Sequence, residues 1–148
     1  MERHLVSEFM VPNPIMIGFD VSAAEISKLM LQNSISSVII TLEDKPVGIV
    51  TERDLVRRVL AVGLNPEFTL AKEVCSKPVV QILIYEEIDV AVEKMRQNKL
   101  HRLVVVDQYD KVVGILTTED IGYHLKSISE ALAIKYLALM SKRTYHRP

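Results

Sequence analysis

GIVTERD occupies positions 48–54 and GILTTED occupies 114–120. The phrase recurs at a spacing of 114 − 48 = 66 residues in a chain of 148. Either it is a joint that the fold needs twice, or it is a site that the function needs twice. Working outward, FMVPNPIMIGFDVSAAEISKLM (9–30) lies without a gap over VCSKPVVQILIYEEIDVAVEKM (74–95). NSISSVIITLEDKPVGIVTERDL (33–55) then lies over NKLHRLVVVDQYDKVVGILTTEDI (98–121) with one inserted residue. Such internal repetition governs every later reading. Two modules of about fifty-five residues account for most of the chain.

Each module predicts the same order of elements. A short apolar stretch follows a proline, Ile15–Ile17 after Pro14 and Val79–Leu83 after Pro78. A helix comes next. Ser22 and Glu25 have the spacing of a capping box, with Ile26, Leu29 and Met30 as its apolar stripe. Ile88, Ala91, Val92 and Met95 repeat the stripe in the second module. Two Val- and Ile-rich runs joined by turn residues then predict buried strands, SVIIT with PVGIVT and RLVVVD with KVVGILT. The repeated phrase opens a second helix, whose apolar face is Leu55, Val56, Val59 and Leu60, with Arg57 and Arg58 outward. The fold class is therefore α/β, as two βαββα modules. A single module leaves one sheet face uncovered, which gives the duplication a physical reason.

The expected boundaries are 7–63 for the first module, 64–73 for a linker and 74–126 for the second module. Residues 127–148 supply an extra C-terminal helix and a basic tail. In SISEALAIKYLALMSK (127–142), Ile128, Ala131, Leu132, Ile134, Leu137, Ala138 and Leu139 cover a wider arc than one packing face requires. Self-association and extra packing against the domain both fit that arc.

Composition narrows the function classes. Hydrophobic content of 49% and charged content of 25% are those of an ordinary soluble globular protein. A net charge of −1 argues against general nucleic-acid binding. The start MERHLVSEFM lacks a signal-peptide core, and apolar runs such as Leu103–Val106 are far too short for a bilayer. The expected location is cytoplasmic, with no membrane partner. The single Cys75 has no disulfide partner and no CxxC or HxxxH context, which predicts a structural role. His4, His101, His124 and His146 are scattered, and no nucleophile–base pair or glycine-rich phosphate loop is present. No enzyme, catalytic residue or metal site is expected.

Thr51-x-x-Asp54 and Thr117-x-x-Asp120 each stand where a strand becomes a helix. As bare chemistry the pattern is a capping box, in which Thr bonds the third amide and the acid favours the positive helix end. The same geometry suits a ribose phosphate. Helix amides and a Thr hydroxyl can meet phosphate, and a carboxylate can accept from two adjacent hydroxyls. The two readings do not exclude each other.

The βαββα repeat, the doubled G-h-h-T-x-x-D phrase and the proline-anchored first strands together resemble a tandem pair of CBS domains over about residues 7–126, about 80% of the chain. HRLVVVD (101–107) further resembles a segment of the gamma regulatory subunit of AMP-activated protein kinase. The resemblance implies a pseudo-twofold pair with two clefts for adenosine-containing ligands, namely AMP, ADP, ATP or S-adenosylmethionine. The Asp would hold the ribose diol and the Thr would approach the phosphate. No resident cofactor is required. One cleft would use Thr51, Arg53 and Asp54 with Val79, Val80, Leu100, His101 and Arg102. The other would use Thr117 and Asp120 with Ile15, Ile35, Ser36 and Ser37.

Arg suits phosphate by its planar fork, and Glu119 sets a negative charge beside Asp120 where Arg53 stands beside Asp54. The Asp54 cleft is therefore expected to bind more tightly. The implied function is a regulatory sensor that signals by conformational change to a separate effector protein or to its own oligomer, with a homodimer expected. The alternative is a ligand-independent oligomerisation or interaction module.

Overall fold

The computed structural model describes residues 3–124 and 130–145. Ile128, the first turn of the predicted C-terminal helix and His146 lie outside the described residues. In chain order the elements are a 3-10 turn (Val6–Glu8), β1 (Val11–Pro12), β2 (Met16–Gly18), α1 (Ala23–Asn33), β3 (Ser37–Leu42) and β4 (Lys45–Thr51). Then come α2 (Glu52–Leu55), a π-helical turn (Val56–Leu60), α3 (Ala71–Val74), β5 (Gln81–Leu83) and α4 (Ile88–Asn98). The chain closes with β6 (Arg102–Val106), β7 (Val112–Thr117), α5 (Thr118–Tyr123) and α6 (Glu130–Tyr145). The expected βαββα order appears twice.

The chain divides into two compact units, and the division crosses the sequence modules. One unit is Pro14–Val79; the other joins the residues up to Asn13 to those from Val80 onward. The reason is strand pairing. The segment leading into the first module pairs with the last strand of the second, Val11 opposite Ile115. The segment leading into the second pairs with the last strand of the first, Ser76 opposite Ile49. The expected linker, 64–73, belongs wholly to the first-repeat unit.

In the Pro14–Val79 unit the sheet order is β2-β3-β4, parallel then antiparallel. Ser22 caps α1 by accepting from the Glu25 amide at 3.2 Å, one half of the expected reciprocal box. Ala23, Ile26 and Met30 of α1 pack with Val38, Ile40, Val50, Val59 and Val74 as this unit's core. After α2, the π-helical turn widens the backbone spacing, Ala61 N donating to Val56 O at 2.8 Å. That change of period turns Val56 and Leu60 outward, 53% and 70% exposed, and leaves Val59 as the buried residue. The predicted four-residue apolar face is corrected accordingly.

In the other unit the sheet order is β1-β7-β6-β5. Ile88, Ala91, Val92 and Met95 of α4 are all buried, as their spacing predicts, against Leu103, Val105 and Leu116. Leu132 and Leu139 of α6 join that core, while Ile134 and Leu137 stay more than half exposed. Leu132 and Leu139 are thus the internal packing of the arc, while Ala131, Ile134, Leu137 and Ala138 are exposed.

Gly122 makes that packing fit, because a Cβ there would meet the Tyr136 hydroxyl oxygen and lie 2.7 Å from the ring Cζ that carries it. Gly122→Ala is expected to cost about 1–3 kcal/mol by overpacking. Amides of α6 should exchange faster while β6 and β7 keep their protection. Uniform loss across the unit would show instead that α6 folds as one piece with the sheet.

Candidate functional site

Thr51 and Thr117 are the N-caps of α2 and α5, held in extended backbone (φ −110° and −117°). Thr51 Oγ accepts from the Asp54 amide at 3.1 Å, and Asp54 Oδ2 accepts from the Thr51 amide at 2.9 Å. Thr117 and Asp120 repeat both bonds at 3.1 and 2.9 Å. Both phrases are therefore true capping boxes. Each satisfies two helix-end amides reciprocally and fixes one oxygen of its carboxylate, so the structural role of the phrase is real in both copies.

The carboxylates then diverge. Asp120 Oδ2 takes a further bond from the Thr117 hydroxyl at 2.9 Å, and no described residue donates to Oδ1. Asp54 is buried, 8% exposed, and its Oδ1 accepts from the Ser76 hydroxyl at 3.1 Å. Arg58 Nε stands 3.9 Å from the same oxygen. Arg58 faces solvent as expected, its side chain 48% exposed, and through one terminal nitrogen it also donates to the carbonyls of Val74 and Cys75 at 2.9 and 3.0 Å. It thereby ties α3 to the helix that carries Asp54. Sequence reading missed Ser76 and Arg58, although the repeat alignment already set Ser76 opposite Val11.

Each unit has its own set of neighbours for its phrase. In the Pro14–Val79 unit, Ser37 pairs with Thr51 across β3 and β4, and Ser36 O accepts from the Glu52 amide at 3.0 Å. Ile15 and Ile35 pack on that unit's core; Arg53 is exposed and Val79 part-buried. In the other unit, Arg102 pairs with Thr117, and His101 O accepts from the Thr118 amide at 3.0 Å. Arg102 Nε is shielded from solvent and makes no hydrogen bond among the described residues. Leu100 is part-buried, and Val80 packs on that unit's core. His101 and Arg102 thus stand beside Thr117 within their own unit, because antiparallel pairing sets the start of each third strand against the end of the fourth.

Other chemistry is limited. Cys75 is buried, and that burial pushes its thiol up from the ordinary value against a downward pull from Lys77. It is held as a protonated thiol, a poor nucleophile. Among the described residues no group of three His, Cys, Asp or Glu could hold a metal ion. No helix among them is long and apolar enough to cross a membrane.

The two βαββα units with a capped T-x-x-D at each strand-to-helix joint define a tandem repeat module of mixed α/β class. The chain belongs to the CBS domain family, matching it at residues 6–61 and again at 71–126. An uncharacterised protein of Methanopyrus kandleri is 41% identical over 101 residues, 68% of this chain and 52% of that protein. The chain spans about half the length of the curated relatives it matches. Among solved structures, a CBS domain protein from Thermoplasma acidophilum superposes with a TM-score of 0.77 at 21% identity, covering 95% of this chain and 78% of that one. The CBS domain pair of protein MJ0100, in complex with 5-methylthioadenosine and S-adenosyl-L-methionine, gives a TM-score of 0.72 at 28% identity. It covers 85% of this chain and 98% of that one. CBS domain pairs are regulatory rather than catalytic modules.

Proposed function

We propose that the chain is a sensor of adenosine-containing ligands, with the T-x-x-D carboxylates as acceptors for the ribose diol. The observation that carries this reading is the open Oδ1 of Asp120, on a carboxylate whose other oxygen is held by Thr117. An oriented carboxylate with an unused oxygen suits two adjacent hydroxyls, since it has lone pairs for both and no donor to repel them. Arg102, next to Thr117 in the strand register, brings a cation of the geometry that phosphate prefers. The adenosyl compounds held by the MJ0100 pair agree with this ligand class.

A ligand of this kind regulates only through a difference in affinity between two conformations. The receiver would be a separate effector or a second copy. The exposed Ile134 and Leu137 of α6 favour the oligomeric route, and also the alternative of a ligand-independent association module.

A thermal-shift screen separates the two. AMP, 5-methylthioadenosine or S-adenosylmethionine at ~100 times its dissociation constant should stabilise the protein by about 2.7 kcal/mol, a rise of roughly 5–10 °C. 2′-Deoxyadenosine monophosphate should shift it less, because it presents one hydroxyl fewer. Absence of any shift would leave the association module as the function.

A further inference from the structure

We propose that Ser76 is a selectivity latch. Its hydroxyl holds the Asp54 oxygen that a ligand diol would take, so the second repeat binds first and the first binds only by displacing Ser76. This rests on the reading that the T-x-x-D carboxylates accept a ribose diol.

Ser76 and Val11 occupy the same backbone frame in the two repeats. Ser76 pairs with Ile49, its amide donating to Ile49 O at 2.8 Å and its carbonyl accepting from Ile49 N at 3.2 Å. Val11, the residue that the gapless repeat alignment sets on Ser76, pairs with Ile115, the residue 66 positions after Ile49. The strand geometry is duplicated, but only Ser76 carries a donor. Its hydroxyl lies 3.1 Å from Asp54 Oδ1, while nothing among the described residues donates to Asp120 Oδ1.

The same exchange recurs one helical turn on. Arg58 lies 3.9 Å from Asp54 Oδ1, and its repeat equivalent is His124, whose ring packs edge-on against Phe9 at 5.4 Å. Two side-chain differences therefore close one carboxylate and open the other. They reverse the ranking that the sequence suggested, in which the Asp54 cleft binds more tightly.

The latch also carries a consequence for movement. Ser76 sits one residue beyond the Val74 and Cys75 carbonyls that Arg58 holds, in the segment between α3 and β5. A ligand hydroxyl that replaces Ser76 on Asp54 removes one of the ties on that segment. Occupancy of the first repeat is thus coupled to loosening of the segment that leads into the second.

The test is calorimetric titration of the full chain with AMP, comparing Asp120→Asn with Asp120→Asn combined with Ser76→Val or Ser76→Ala. With the second repeat silenced, removing the Ser76 hydroxyl should tighten AMP roughly three- to tenfold, the worth of one hydrogen bond that no longer has to be exchanged. The gain should shrink with 2′-deoxyadenosine monophosphate. In the otherwise native chain, Val11→Ser should weaken AMP by a similar factor. Equal or weaker AMP binding in both Ser76 variants, including no binding in any Asp120→Asn protein while the native chain binds, overturns the latch and leaves the ribose reading standing. Failure of the native chain and every variant to bind AMP or 5-methylthioadenosine overturns both.

Discussion

Asp120→Asn should weaken AMP binding by about tenfold or more, the worth of at least one charge-assisted hydrogen bond. Asparagine keeps one carbonyl oxygen of the carboxylate and replaces the other with a donor. If its oxygen accepts from the Thr117 amide, the NH2 donor faces the diol; if the oxygen turns to the diol, the NH2 meets the Thr117 amide donor to donor, so in neither arrangement can the group serve both. The fold should suffer little. An acid one turn into a helix contributes about 0.3–1 kcal/mol through the dipole, and the amide oxygen can still accept from Thr117. Calorimetry and a urea midpoint on the same preparations separate the two effects. Unchanged affinity with a lowered midpoint would reduce Asp120 to a helix cap and remove it from the ligand site.

Gly48→Ala should be the most damaging small substitution in the Pro14–Val79 unit, at about 2–3 kcal/mol. A Cβ at Gly48 would lie 2.6 Å from Cys75 Sγ, 2.9 Å from Cys75 Cβ and 3.2 Å from Ser76 O. Two of those atoms sit on or near a backbone fixed by the Ser76–Ile49 pairing, so the crossing segment has nowhere to go. In the other repeat, a Cβ at Gly114 would meet the Met10 side chain and lie 3.0 Å from Val11 O. A thioether has three rotatable bonds and can swing aside, so Gly114→Ala should cost less. Equilibrium urea unfolding of the two alanine variants reads the difference directly. Adding Cys75→Ala to Gly48→Ala should recover part of the loss, since it removes the nearest atom. Equal costs in the two repeats would mean that the backbone crossing, and not the cysteine, sets the penalty.

The glycine of the repeated phrase therefore has a reason that the phrase alone does not display. GIV and GIL read as strand sequence, and a glycine inside a strand marks a close backbone approach without saying whose backbone approaches. The approaching chain comes from the leader of the opposite repeat, some 25 residues after Gly48 and some 100 before Gly114. A local pattern cannot name so distant a partner.

What the sequence by itself determined was everything that depends on near neighbours. The repeat at 66 residues is visible as self-similarity, and the βαββα order, the buried stripe of α4 and both Thr–Asp capping boxes rest on interactions that close within a turn or two of chain. The tertiary structure decided what depends on residues meeting across the fold. It exchanged the two leading segments and set the solvent-facing Arg58 on the carbonyls at the end of α3. It also bent the second helix into a π turn that exposes Val56 and Leu60, and brought Ser76 onto Asp54. The sequence could show that the two phrases are alike. Only the crossing strands, one carrying a serine and the other a valine at the same place, made the two carboxylates different.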